Sequence, residues 1–248
     1  MKTVMSYLGA IGAAQREAMD ADERVIIIGE DVEANVYGTT GAGKARAAEG
    51  DFLQRYGRNR IRNTPISEEI IVGAAAGAAM TGLRPLVDLS YSSFTYLAMD
   101  QFVNQIAKNR FMFGGQASIP VVFRSAMFYG LNTGAHHSDR PYPMYMNVPG
   151  LKIIAPASPS DAKGLLRSAI DSDDPVLSFE ACPLWPMKEE VEEDEIEIFW
   201  LWDYLAELVD VYKINLSKYQ RRHEAYCRVQ TNYYRCVYCR QTYYIPIK

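Results

Sequence analysis

Five short runs rich in β-branched residues, spaced by stretches of helical periodicity, leave this chain few folds to choose from. RVIIIGEDV (24–32), RPLVDLSY (84–91), IPVVFRSA (119–126), LKIIAPAS (151–158) and PVLSFEA (175–181) read as strands. Residues 68–81, 94–110 and 160–170 read as helices. Strands that are apolar along most of their length are buried on both faces, and the helices between them supply the cover. The expectation is an α/β fold, a mostly parallel sheet with helices on both faces. In such sheets ligands collect beyond the carboxyl ends of the strands. That rule directs attention to Gly29-Glu30-Asp31, to Ser90–Phe94 and to the loop after Arg124.

Composition sets the outer limits. The chain has 248 residues, 48% of them hydrophobic and 23% charged, with a net charge of −4. That is enough apolar material for one large domain, or for one domain with an appendage. The mildly acidic balance gives no reason to expect nucleic acid or an anionic membrane as partner. No stretch reaches the roughly 18 apolar residues of a membrane span. The opening MKTVMSYLGAIGAA has the look of a signal peptide, but Gln15, Arg16 and Glu17 carry the same helical pattern onward. A first amphipathic helix is the reading adopted, with secretion the lesser alternative. Four cysteines, three of them near the end, make no secreted disulfide framework, so a cytoplasmic location is expected.

Three segments hold the unusual chemistry. NTPISEEIIVGAAAGAAMTG (63–82) sets Glu68 and Glu69 in front of a helix made almost wholly of Gly and Ala. Ser67 as a helix cap, with carboxylates complementing the helix dipole, accounts for it without any function. Gly73 and Gly77 stand four apart and give the helix a face that another backbone can approach closely. The loop 125–150 is long and carries His136 and His137, and long ordered loops in compact domains are often functional. After Pro186 the text changes. An acidic MKEEVEEDEIEIF gives way to residues rich in Tyr, Arg and Cys, without the earlier alternation.

Taken together, GEDV (29–32), NTPISEE (63–69), GAAAGAAMTGLRP (73–85), DQFVNQIAK (100–108), GGQ (114–116), HS (137–138), PGLKII (149–154) and SPSDAKGLL (158–166) resemble a known family in order and spacing. It is the β subunits of the thiamine-diphosphate-dependent first component of 2-oxo acid dehydrogenases, with pyruvate, branched-chain and acetoin dehydrogenases among them. The resemblance covers residues 1–186 and implies a transketolase-like pyrimidine-binding domain. It implies oxidative decarboxylation of a 2-oxo acid, by default pyruvate, with acyl transfer to a lipoyl group. It also implies an α subunit that holds the cofactor's diphosphate through Mg²⁺, an α2β2 heterotetramer, and docking onto a dihydrolipoyl acyltransferase core. The motif that holds the diphosphate, GDG followed by a downstream Asn, is absent from this sequence.

The same resemblance assigns residues. Glu68 matches the carboxylate that hydrogen-bonds N1′ of the cofactor's pyrimidine, while Glu69 stays a capping or surface residue. Phe94 matches an aromatic that packs on that pyrimidine, with Tyr91 a lesser candidate and core packing the ordinary alternative. Glu30, at a ligand-facing strand end, is read equally as an active-site group and as a solvated carboxylate. His137 matches the family's active-site histidine, which suits proton work near neutral pH. A loop histidine bonded to backbone is the alternative. Its surroundings depart from the pattern: MFYGLNTGA precedes where a glycine-rich lead-in is usual, and Asp139 stands where Gln is expected. Some members also hold a structural K⁺ on backbone carbonyls, which match Val121, Ala169, Ser172 and Asp174. The alternative there is a plain helix end and turn.

Residues 187–248 form an atypical tail where the family continues into a second domain. A reading-frame shift near residue 195 explains such text. His223, Cys227, Cys236 and Cys239 offer a zinc-like H-x₃-C-x₈-C-x₂-C pattern as an alternative. The reading opposed to an enzyme is a truncated, non-catalytic binding module.

Overall fold

In the computed structural model, residues 2–33 and 52–192 are described, with the backbone of Tyr234–Arg235 and Thr242–Tyr243, which pair antiparallel. The core is a six-stranded sheet in which every pairing is parallel. Its order is β3 (Ile61–Thr64), β2 (Val25–Glu30), β4 (Arg84–Tyr91), β5 (Val122–Met127), β7 (Val176–Ala181) and β6 (Lys152–Ile154). All five sequence-predicted strands are present, with ends moved by a few residues. β3 is the strand that periodicity missed, because IRNT is short and mostly polar.

Both faces are covered. On one lie α1 (Tyr7–Ala21), the short α2 (Phe52–Tyr56) and α6 (Pro159–Asp171), which bury Ile11, Met19, Phe52, Leu165, Leu166 and Ile170 over Ile27, Leu86, Val122 and Val176. On the other lie α3 (Glu68–Met80) and the segment after β4, burying Ile71, Val72, Phe102 and Ile106 over Val87, Phe123 and Leu177. The strand residues of the two sets alternate, Leu86 with Val87, Val122 with Phe123, Val176 with Leu177, as the pleat requires. Each such side chain contributes about 1.5–3 kcal/mol on burial. Among the described residues no helix is long and apolar enough to cross a membrane.

The structure corrects the sequence in four places. Residues Lys2–Ser6 form a strand, β1, and the first helix starts only at Tyr7. Ser6 caps it, its Oγ accepting from Gly9 N at 3.0 Å. β1 pairs antiparallel with β8 (Lys188–Glu192), so the ordered chain runs past residue 186 into the acidic segment. The expected helix 94–110 is broken into a 3₁₀ turn (Ser92–Ala98), a π turn (Gln101–Ile106) and α4 (Asn109–Met112). The long loop holds a 3₁₀ turn (Ala135–His137) and the short α5 (Tyr142–Tyr145). At its end Gly150 has φ 96°, and a Cβ there would stand 1.9 Å from the Ala107 carbonyl oxygen. Only glycine lets the loop close on the end of the π turn.

Candidate active site

β2 is followed in the chain by a strand on one side of it and then by one on the other, so the strand order reverses there. This is the switch point at which a crevice opens beyond the carboxyl ends. Glu30 ends β2 and Tyr91 ends β4, on neighbouring strands paired through Gly29 and Asp88. A Cβ on Gly29 would meet the Asp88 carbonyl oxygen at 2.4 Å, so glycine permits this close approach. β3, on the far side of β2, leads from Thr64 directly to Glu68 in the first turn of α3.

Glu68 is buried, with 7% of its surface exposed, whereas Glu69 is exposed. Ser67 does occupy the cap position, but its side chain makes no capping bond. Only its carbonyl oxygen takes part, accepting from Ile71 N at 2.9 Å. The backbone at Ser67 is extended, and its hydroxyl does not take the place a cap would take. The orphan N–H groups of this helix end are thereby left to whatever else approaches, the environment in which a carboxylate is welcome. Glu30 lies in the same electrostatic neighbourhood: partial burial first, then the charges of Asp31 and Glu68, hold its carboxyl above the usual range. Three acidic groups thus converge on the end of β2. A Cβ on Gly73, farther along α3, would stand 3.3 Å from the Gln101 side-chain oxygen, while Gly77 faces open space.

The second half of the site is aromatic. His137 stacks on Tyr91 with ring centroids 4.2 Å apart, and meets Phe94 edge-on at 5.5 Å. Tyr91 in turn contacts Phe94 at 5.2 Å and Phe128 at 4.5 Å, and Phe128 reaches Trp185 at 5.5 Å. The bulky lead-in to the histidine therefore packs into the cluster. Nδ1 of His137 is buried and has no hydrogen-bond partner among the described residues. A buried polar atom without a partner costs about 1–3 kcal/mol, a cost that sites receiving a ligand commonly carry. His136 is exposed and outside the cluster.

A buried polar ladder shapes the end of β4. Arg124 on β5 forms a two-pronged pair with Glu180 on β7, Nε at 2.7 Å and Nη2 at 2.8 Å. Its Nη1 donates to Gln15 of α1 at 3.3 Å and lies 4.0 Å from the Asp88 carboxylate. Asp88 Oδ1 accepts from Ser90 N at 2.8 Å, and Ser90 is in the left-handed region at φ 56°. The register with β5 shifts between Asp88 and Tyr91 at this kink. Sequence periodicity passed over Arg124 and Glu180, since both sit in runs read simply as buried strands. The signal was there: a charge inside a strand covered on both faces needs a partner.

The four carbonyl positions lie before β5, at the end of α6 and in the turn into β7. Val121 O accepts from Val176 N at 2.9 Å, Ala169 O from Ser172 N at 3.2 Å, and Ser172 O from the Arg84 guanidinium at 3.1 Å. The Asp174 carboxylate pairs with Lys152 at 3.3 Å and with Arg110. Each carbonyl keeps a second lone pair, and hard oxygen donors at a helix carboxyl end suit a monovalent cation. The same end already draws two of the chain's own cations, Arg84 and Lys152. Among the described residues no cluster of three His, Cys, Asp or Glu could hold a metal ion. His223, Cys227, Cys236 and Cys239 lie outside the described residues.

A parallel sheet of this order, with a carboxylate and an aromatic cluster at its switch point, defines an α/β ligand-binding domain. The comparisons make that specific: residues 3–182 match the model of the transketolase pyrimidine-binding domain, and the chain belongs to that family. It is 41% identical over 199 residues to the acetoin:2,6-dichlorophenolindophenol oxidoreductase subunit beta of Bacillus subtilis (strain 168), covering 78% of this chain and 58% of that one. It is 39% identical to the 2-oxoisovalerate dehydrogenase subunit beta of the same organism, covering 72% and 52%. The pyruvate dehydrogenase E1 component subunit beta of Porphyra purpurea is 41% identical, with 75% and 54% covered. The chain thus spans little more than half the length of these relatives. A solved structure described as a split gene transketolase, inactive beta4 tetramer, shares the fold at a TM-score of 0.55 and 17% identity, covering 71% of this chain and 51% of that one.

Proposed function

We propose that this chain is the pyrimidine-binding part of the β subunit of a thiamine-diphosphate-dependent 2-oxo acid dehydrogenase. Pyruvate is the substrate to test first, and acetoin and branched-chain 2-oxo acids are the alternatives. The observation that carries this reading is the meeting, at one switch point, of a buried helix-end carboxylate with an aromatic cluster around an unpartnered imidazole nitrogen. Such a pairing fits a flat heteroaromatic ring with a basic nitrogen on its edge.

Thiamine diphosphate, when bound, supplies the carbanion chemistry of decarboxylation. Glu68 would hydrogen-bond the pyrimidine N1′ and would hold or release a proton there. Glu30, its carboxyl held above the usual range by partial burial and by the charges of Asp31 and Glu68, adds a second acidic group to this corner. Phe94 and Tyr91 present apolar surface to the ring and exclude water. His137 offers Nδ1 for proton exchange with the reacting group during decarboxylation and acyl transfer. An α subunit supplies the Mg²⁺-held diphosphate, the working unit is an α2β2 heterotetramer, and the acyl group passes to a dihydrolipoyl acyltransferase core. The backbone carbonyls of Val121, Ala169, Ser172 and Asp174 would hold a structural K⁺. Replacing K⁺ by a bulky organic cation should lower the thermal midpoint, and an unchanged midpoint removes the ion from the proposal.

The test is co-expression of the full chain with a cognate α subunit, followed by assay of cofactor-dependent turnover on the three substrate types. Glu68→Gln should lower kcat by about 10²–10⁴. Wild-type turnover in that variant overturns the role of Glu68. A chain that forms no complex, or shows no cofactor-dependent turnover, is a non-catalytic binding module instead.

A further inference from the structure

An imidazole is usually aimed by a hydrogen bond to one of its nitrogens, which fixes both tautomer and ring angle. Nδ1 of His137 has no such partner among the described residues. Its angle must come from ring contacts and from the placement of its backbone. The backbone is held from one side. Ser92 Oγ donates to the Asp139 carbonyl at 2.8 Å, and Ser93 Oγ donates to the His136 carbonyl. Both serines are buried, and the two carbonyls bracket His137 in sequence. The turn that carries the serines is itself anchored. Thr95 Oγ1 donates to Ser92 O at 2.6 Å, and the buried Tyr145 hydroxyl donates to Thr95 O at 2.9 Å. Tyr91, on which the imidazole stacks, is the residue immediately before Ser92. Ring and platform are therefore fixed by one short stretch of chain.

We propose that Ser92 and Ser93 are positioning residues, a pair of hydroxyl clamps that fix the His137 imidazole against Tyr91 by gripping the backbone on either side of it. The functional weight of this rests on the reading of His137 as the active-site histidine, but the geometry can be read without turnover. A loop merely tied down for stability would not require that the ring orientation follow the hydroxyl groups.

The experiment uses the full chain with labelled histidine and reads the ring signals by NMR. The chain has three histidines, so the spectrum of His137→Gln identifies the signal of interest. The face of Tyr91 should shift the His137 ring protons upfield. Ser92→Ala and Ser93→Ala should each move them back toward the position of free histidine, and the double variant should move them farther. Ser93→Thr, which keeps the hydroxyl, should hold them in place, while Ser93→Val, nearly equal in volume, should not. That last pair also serves if an alanine variant fails to fold. Ser158→Ala removes the cap of α6 on the opposite face of the sheet and should destabilise the chain without moving the His137 signals. Unmoved His137 signals in folded Ser92→Ala and Ser93→Val overturn the proposal, as does a shift in Ser158→Ala as large as theirs. In the assembled enzyme the clamp variants should lose kcat while KM is kept. If His137→Gln leaves turnover intact, the catalytic reading of the histidine falls, and the NMR result still decides the clamp.

Discussion

At the scale of single residues, Glu30 gives the sharpest expectation. Its carboxyl binds a proton more tightly in the folded chain than in the unfolded one, through burial and then the charges of Asp31 and Glu68. Stability must therefore fall as pH rises from the ordinary carboxylate range, about 4.3, through the raised value. Glu30→Gln removes that loss. It should be more stable than the parent chain at neutral pH and no different from it well below the carboxylate range, as read from urea unfolding at both. An advantage that persists unchanged at low pH would mean that charge is not the cause. Glu30 was legible only as a strand end, because a neighbour such as Glu68 lies 38 positions away in the chain and becomes visible only when β2 and α3 meet. That Glu68 is buried and Glu69 exposed was not legible, because the two stand side by side in one motif. Ser67 was misread, since a serine in the cap position says nothing about where its hydroxyl turns.

At the scale of elements, the strands were legible because a sheet covered on both faces writes its burial into uninterrupted apolar runs. What connects them was not. The start of the expected helix 94–110 is instead a 3₁₀ turn, where Ser92, Ser93 and Thr95 spend their hydroxyls on backbone carbonyls. β1 escaped notice because its partner, β8, lies some 185 residues on, and two-stranded ribbons owe their existence to that partner. The Arg124–Glu180 pair makes the testable claim at this level. Arg124→Met leaves Glu180 buried with no cation facing it and should cost about 3–5 kcal/mol in chemical denaturation. Arg124→Met with Glu180→Leu should recover most of the loss, since the penalty belongs to the orphaned charge. A single variant within about 1 kcal/mol of the parent would show that the ladder is dispensable. Because Asp88 and the kink at Ser90 adjoin this ladder, the single variant should also disturb Tyr91 and, through it, His137.

At the scale of the whole molecule, the proposed assembly asks for a site completed by a second chain. Large apolar side chains are exposed beside the buried carboxylate. Ile66 and Ile70 flank Glu68 with 73% and 69% of their surface exposed, and Phe111 is 78% exposed. Exposed apolar side chains such as Ile66 and Ile70 suit an association surface, in keeping with the proposed assembly. The Gly/Ala helix was legible as something smooth, but which of its glycines meets the chain's own body and which faces outward was not, because that depends on the turn in which Gln101 sits. The ribbon of β1 and β8 has a consequence of a different kind. Lys2 stands directly opposite Glu192 across it, with their side chains 3.6 Å apart. Residues 2 and 192 therefore lie one strand spacing apart, about 4.8 Å. A body threaded this way can be spliced into a loop of an unrelated host without prising the host's ends apart. Evolution and engineering alike can move such a cassette without first redesigning it.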